Sequence, residues 1–201
     1  MKDRTKEVSA RKIAAWELVS VDGVMESPEE WAFSYSNDEM EEANESGMAA
    51  SDGLLLGRVT YEHLAAFWPN QPPGGTPMVD YINSVRKHVV SGTLEEPLEW
   101  INSTLIKGNV AEAVVKLKRQ PGKDIMILGS GALVRSLLRD GLLDELRLMV
   151  HPVVMGCGKR LFEDGDVRKG LELVDSKTFG TGVVSLTYRP TVGQDAERGH
   201  G

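Results

Sequence analysis

The stretch DIMILGSGALVRSLL, residues 124–138, decides how this chain is read. Ile125, Met126, Ile127 and Leu128 form a short continuous apolar run, which suits a strand covered on both faces in a parallel sheet. Gly129-Ser130-Gly131 breaks the run. Beyond it, Leu133, Val134, Leu137 and Leu138 recur at helical spacing, and Gly141 stands where a helix C-cap glycine belongs. The unit is strand, glycine turn, helix. Such a turn lets backbone N–H groups approach a ligand, and the helix start adds partial positive charge, so phosphate is the guest that suits it. A plain tight βα turn that binds nothing carries the same signature, since a lone Gly-x-Gly has little specificity.

Working outward, the pattern repeats. Residues 13–21, IAAWELVSV, form a first strand that runs into Asp22-Gly23, a turn pair. Residues 53–56 are a second apolar run, stopped by Gly57-Arg58 and followed by a helix to about Phe67. Residues 68–75 are a proline- and glycine-rich loop. A helix over 77–85 places Pro77 in its first turn. Residues 88–90 make a third strand ending at Ser91-Gly92-Thr93, and residues 100–106 a fourth. A helix over 110–119 turns Val114, Val115 and Leu117 inward. Residues 143–154 alternate charged with apolar side chains, then become wholly apolar before Met155-Gly156-Cys157-Gly158. Residues 171–179 and 182–189 form a terminal antiparallel hairpin. An earlier helix begins near Ser36 or Asn37, where Ser36 and Glu39 have capping-box spacing and Met40, Ala43, Gly47 and Met48 form the buried stripe. The expected fold class is α/β, a three-layer αβα with a mainly parallel mixed sheet and a C-terminal antiparallel hairpin.

The 201 residues suffice for one domain, expected over residues 11–190, with a flexible N-terminus (1–10) and a disordered tail (191–201). Apolar content of 41% and charged content of 26% are those of an ordinary soluble globular protein. A net charge of −7 argues against a nucleic-acid or anionic-membrane surface. No apolar run approaches membrane-spanning length, and the N-terminus is too polar for a signal peptide. A single cysteine, Cys157, forms no internal disulfide, and a cytoplasmic location fits. Residues 26–45 hold eight acids and no base, most simply a solvated face. His63, His88 and His151 match no metal-ligand spacing, so no metal is expected. Ser20, Ser91 and Ser130 lack a partnered His-Asp motif, which argues against a hydrolase.

Three strand ends carry small polar or phosphate-friendly residues: Gly57-Arg58-Val59-Thr60, Ser91-Gly92-Thr93 and Gly129-Ser130-Gly131. In a parallel α/β sheet, strand C-termini share the edge where ligands bind. Three such turns on one edge point to a long anionic ligand, and a dinucleotide is the natural candidate. An orthodox Rossmann turn fits poorly, because Val134 holds the third glycine position and the turn lies late in the chain.

Here the chain resembles the dihydrofolate-reductase-like fold family. Within it, the chain is most similar to the reductase domain of the bifunctional riboflavin-biosynthesis deaminase–reductases and their stand-alone relatives. The matching stretches run in the family's order: Ser20-Val21-Asp22-Gly23-Val24, Leu55-Leu56-Gly57-Arg58-Val59-Thr60-Tyr61-Glu62, Val89-Val90-Ser91-Gly92-Thr93-Leu94, Ile127-Leu128-Gly129-Ser130-Gly131, and the segment from Val150 to Phe162. No deaminase zinc domain accompanies them, because one cysteine cannot supply that site.

The resemblance implies an NAD(P)H-dependent oxidoreductase, with NADPH as hydride donor and NADH as a second possibility. By family analogy Gly57, Arg58 and Thr60 hold the phosphate side of the cofactor. Ser91 and Thr93 sit by the adenosine ribose and its 2′-phosphate, and Gly129, Ser130, Gly131 and Ala132 cradle the pyrophosphate. Relatives often carry arginine where this chain has Gly92, and arginine is the best bidentate partner for a phosphate. Arg58 is the compensating candidate. Asp22 is expected over the nicotinamide, as catalytic and substrate-binding residue, and Trp16 as a wall of the substrate pocket. An Asp-Gly pair is equally the mark of a plain turn. Glu39 and Glu42 lie on the helix that carries the substrate-binding acid in dihydrofolate reductase, with no motif to choose between them.

The implied activity is that of a 5-amino-6-(5-phosphoribosylamino)uracil reductase. The alternatives are a dihydrofolate-reductase-like or other reductase of an unphosphorylated heterocycle, and, in another class, a nucleotide-binding protein without turnover. A homodimer is expected, through an isologous interface including Met149, Val150 and Val153. Burial of these residues within one subunit by the terminal hairpin is the competing expectation.

Overall fold

The computed structural model describes residues 10–166 and 168–191. The expected flexible start (residues 1–9) and the tail from residue 192 lie outside the described residues. Eight strands form one sheet: β1 (Ile13–Ser20), β2 (Ser51–Gly57), β3 (Arg86–Val90), β4 (Ser103–Ile106), β5 (Asp124–Leu128), β6 (Glu145–His151), β7 (Leu171–Thr178) and β8 (Val184–Pro190). Their order is β4-β3-β2-β5-β1-β6-β8-β7. The first six in that order run parallel, while β8 is antiparallel to both β6 and β7. The helices are α1 (Pro28–Trp31), α2 (Asp38–Ala50), α3 (Arg58–Phe67), α4 (Pro77–Ser84), α5 (Val110–Lys118) and α6 (Gly131–Arg139). No helix among the described residues is long and apolar enough to cross a membrane.

The period-two alternation of the strands sorts the core into two layers. Leu54 and Leu56 join Tyr61, Ile82, Val85, Val89 and Met126 under α3 and α4. Leu55 points the other way and joins Ile13, Ala15, Ile125, Ile127, Val134 and Leu137 under α5 and α6. A continuous apolar run is therefore what a strand covered on both faces requires, and each such leucine contributes roughly 1.5–3 kcal/mol by burial. A third, smaller cluster (Met40, Met149, Phe179, Val183) seats the start of α2 on the hairpin.

Local chemistry sets the helix ends. Asn37 caps α2 by accepting the Met40 N–H at 3.0 Å, so the expected Ser36 box is replaced by its neighbour. Thr76 caps α4 and Asn109 caps α5, through the N–H groups of Val79 and Glu112. Gly141, at φ 67°, closes α6 as the spacing predicts, and the Leu142 N–H reaches back to the Leu137 carbonyl. The fourth strand is shorter than expected. Trp100 is drawn into the core instead, where its indole N–H donates to Asn83 Oδ1 at 3.1 Å.

One expectation is corrected here. β6 lies between β1 and β8, and Met149 is buried against Met40, Phe179 and Val183 of its own chain. The terminal hairpin covers it, as in the competing expectation, so Met149 is not available to a second subunit.

Candidate functional site at the strand C-terminal edge

The three turns stand next to one another. Gly57 of β2 is in register with Val90 of β3, so Ser91 follows directly beside it. β5 is the other neighbour of β2, and its end leads into Gly129. β1 is next, and Asp22 lies just past its end. From β3 to β1 this row spans three interstrand spacings, about 14 Å.

The turns of β2 and β5 are bolted together. Ser130 Oγ accepts the Gly57 N–H at 2.9 Å, and the Ser130 N–H donates to Thr60 Oγ1 at 3.1 Å. Both Gly129 (φ 57°) and Ser130 (φ 60°) are left-handed, so the chain leaves β5 sharply and starts α6 at once. A Cβ on Gly129 would sit in van der Waals contact with Thr60 at 3.4 Å, so it is the left-handed backbone that favours glycine there. Because Ser130 Oγ serves Gly57, it does not cap α6, and Gly57 cannot cap α3. The first-turn N–H groups of both helices, those of Gly131 and Ala132 among them, therefore point at the same edge without a side-chain cap. Their dipoles favour an anion there.

Ser91 is nearly buried, and its Oγ accepts the N–H groups of Thr93 and Leu94 at 3.1 and 3.0 Å. It orders the turn that holds Thr93 at the rim. A Cβ at Gly92 would meet nothing within 4 Å, so the turn is open at that position. Arg58 is tied to Glu62 one turn along α3, at 2.8 Å.

Asp22 is engaged from three sides. Oδ1 accepts the Ser20 hydroxyl (2.7 Å) and the Met155 N–H (3.0 Å), and Oδ2 accepts the Gly156 N–H (2.8 Å). Arg160 adds its charge at 4.0 Å and donates from Nε to the Asp22 carbonyl. These bonds, the Ser20 hydroxyl first, hold the carboxyl down at about 2. The carboxylate stands at the expected edge, where it fastens the β1 turn to the segment after β6.

Trp16 projects on the α2 side of the sheet. Its ring lies against Gly47 of α2, and the Arg147 guanidinium stacks on it at 4.1 Å. It lines a cavity of about 130 Å³ with Ala14, Ser46, Glu145 and Arg147, toward the N-terminal ends of the strands and away from the turns. Glu39 accepts the Gly180 N–H at 3.1 Å, while Glu42 is exposed.

His151 is one of the histidines that match no metal-ligand spacing, and Glu17 is a group to which the sequence assigned no role. His151, at the end of β6, is buried in a box with Trp31 (ring centroids 5.3 Å) and Tyr35 (5.8 Å), and its Nδ1 bonds the Met149 carbonyl at 2.8 Å. Burial pushes its pKa down. Glu17, on β1, is fully buried and has no hydrogen-bond partner among the described residues. Its signal was an acid at an inward position between Ala15 and Val19. Among the described residues no cluster of His, Cys, Asp and Glu is arranged to hold a metal ion.

A mixed sheet with helices on both faces and a row of linked glycine turns on one edge defines a protein of the dihydrofolate-reductase-like class. Within that class, the chain belongs to the RibD C-terminal domain family, whose model matches residues 11–185. It is 37% identical over 139 residues to the uncharacterized protein YyaP of Bacillus subtilis (strain 168), covering 68% of this chain and 73% of YyaP. A Shewanella sp. PV-4 protein has the same fold at a TM-score of 0.71 and 21% identity, over 90% of this chain and 99% of that one. So does the Thermotoga maritima diaminohydroxyphosphoribosylaminopyrimidine deaminase/5-amino-6-(5-phosphoribosylamino)uracil reductase (TM-score 0.62, 13% identity). The match takes in 90% of this chain and 57% of that longer one.

Proposed function

We propose that this protein is a pyridine-nucleotide-dependent reductase of the riboflavin-biosynthesis type, with NADPH as hydride donor and an electron-poor heterocycle or sugar imine as substrate. The carrying observation is the row of Ser91, Gly57 and Gly129 turns, ordered side by side and ending at β1. A dinucleotide laid along it puts its 2′-phosphate end at Ser91 and Thr93. Its pyrophosphate lies against the linked turns of Gly57, Arg58, Thr60, Gly129, Ser130, Gly131 and Ala132, where the N–H groups of Gly57 and Ser130 hold the turns together and those of Gly131 and Ala132 face the ligand, and its nicotinamide comes beside β1. There β1 pairs with β5 only as far as Trp16; from Glu17 to Ser20 its strand neighbour among the described residues is β6, and the Ser20 N–H is taken by the Val24 carbonyl at 2.9 Å. A planar ring bound there would meet the backbone groups that β5 leaves unpaired beyond Trp16. When bound, the cofactor supplies the hydride, and this chain supplies position and electrostatics.

Within this reading an unphosphorylated substrate is favoured over a phosphoribosyl one. Lys159 and Arg160, the bases nearest the Asp22 turn, face Glu26 and Asp22, and residues 26–45 add only acids around that end. A substrate phosphate there would have to compete with Glu26 and Asp22 for Lys159 and Arg160.

The test is thermal. A ligand bound to the native state alone stabilises it by about 2.7 kcal/mol at one hundred times its Kd. NADPH should therefore raise the melting temperature by several degrees, and NADH by less. If neither moves the transition at millimolar concentration, the proposal fails.

A further inference from the structure

The interior holds two fully buried charged-type side chains with opposite circumstances. Lys87 Nζ donates to the carbonyls of Val85 (2.9 Å), Ile101 (3.3 Å) and Asn83 (3.4 Å) and lies over the Trp100 ring at 4.2 Å. It is satisfied. Glu17 is 1% exposed, and neither carboxyl oxygen has a partner among the described residues. Burying a polar group without a hydrogen bond is costly, and native interiors rarely tolerate it without a reason.

The position of Glu17 supplies the reason. It shares the inward face of β1 with Ile13, Ala15 and Val19, whose cluster includes Leu133, Val134 and Leu161, with Met25 packed against it. The charged groups of the surrounding elements are all turned elsewhere. Arg135 of α6 donates to the Leu161 carbonyl and faces Glu163 and Asp166, and Lys118 of α5 pairs with Asp144 while Lys116 is exposed. Lys159 and Arg160 pair with Glu26 and Asp22. On β6, Glu145 is held by Lys12 and Arg189, and Arg147 stacks on Trp16 across the sheet. Glu17 is also the first residue of β1 past the last β5 pairing, Trp16 with Leu128. It stands where the strand's free edge faces the Gly129 turn.

We propose, resting on the cofactor reading above, that the Glu17 carboxyl hydrogen-bonds the carboxamide of a nicotinamide bound beside β1. A carboxylic acid and a primary amide pair reciprocally: the acid O–H donates to the amide carbonyl, and an amide N–H donates to the acid carbonyl. Burial keeps Glu17 in the required protonated form well above the ordinary carboxyl range. The ligand would provide the partner that the protein withholds.

The test compares NADPH with 2′-phospho-ADP-ribose, which carries the same phosphates without the nicotinamide. Wild type, Glu17→Gln and Glu17→Leu are titrated with both at neutral pH. Leucine suits the apolar surroundings, so this variant folds, and its melting curve verifies that. Glu17→Leu should bind NADPH about tenfold more weakly, in line with the loss of a buried hydrogen-bonding group, and bind 2′-phospho-ADP-ribose as wild type does. Glu17→Gln, an amide that also pairs reciprocally, should stay within about twofold of wild type for both. The preference of wild type for NADPH over 2′-phospho-ADP-ribose should also fall as pH rises and Glu17 ionises, but stay level in Glu17→Gln. An unchanged NADPH affinity in Glu17→Leu, or an equal loss for both ligands, overturns the Glu17 contact and leaves the cofactor reading intact. Failure of wild type to bind either ligand overturns both.

Discussion

Asp22 and Glu17 lie five positions apart, and their surroundings push them in opposite directions. Asp22 gathers three hydrogen bonds and a nearby guanidinium, and its carboxyl is held at about 2. Glu17 gathers none, and its carboxyl is raised. Separated pKa values of this kind divide labour between two acids. At neutral pH Asp22 is charged, and it fastens the β1 turn to the segment after β6. Its folded value lies below its unfolded one, so its stabilising contribution is complete above about pH 4 and is lost as pH falls toward 2. Asp22→Asn should melt below wild type at neutral pH, because an amide NH₂ then faces backbone N–H donors. The gap between the two melting temperatures should narrow between pH 4 and 2. Parallel melting curves across that range would show that the carboxylate does not fasten the turn.

At the scale of elements, helix α2 and strand β1 fit only because Gly47 has no side chain. A Cβ there would fall inside the Trp16 ring, which also carries the Arg147 guanidinium on its face. An alanine in a helix interior ordinarily gains up to about 1 kcal/mol over glycine. Here it must displace an indole, and overpacking of that kind costs about 1–3 kcal/mol. Gly47→Ala should therefore lower the melting temperature and alter tryptophan emission. A rise in melting temperature would mean that α2 moves freely over the sheet. The same logic of close approach joins α3 to α6, where Ser130 bonds Gly57 and Thr60 bonds Ser130.

At the scale of the whole molecule, the sheet of the described residues ends on an uncovered edge. β7 is the last strand, bonded on one side only, with Leu173 51% and Val174 37% exposed. Open apolar edges invite pairing with another chain. We expect a second copy of this chain to cover it, so light scattering at micromolar concentration should give twice the 22.0 kDa of one chain. Leu173→Lys should shift the mass toward a single chain. A wild-type mass of 22.0 kDa would rule the dimer out.

Much of this was written locally in the chain. Runs such as Leu54–Leu56 and Ile125–Leu128, each cut by glycine, were enough to place the parallel strands and the edge they share, because burial on both faces and a sharp exit are short-range demands. The ordered stretches from Ser20 to Phe162 carried the family. Other features depended on residues far apart in sequence. Ser130 reads as one member of a glycine turn in the sequence, and only the fold brings its hydroxyl to the N–H of Gly57, 73 residues away. That Asp22 also accepts the Met155 and Gly156 N–H groups follows only from the pairing of β1 with β6. Met149 looks like an interface residue until β8 and α2 close over it. Glu17 looks like a polar break in a strand. Only the packed structure decides that no donor or cation reaches it, because a hydrogen-bond partner is a matter of distance in space, which neighbours in sequence do not set.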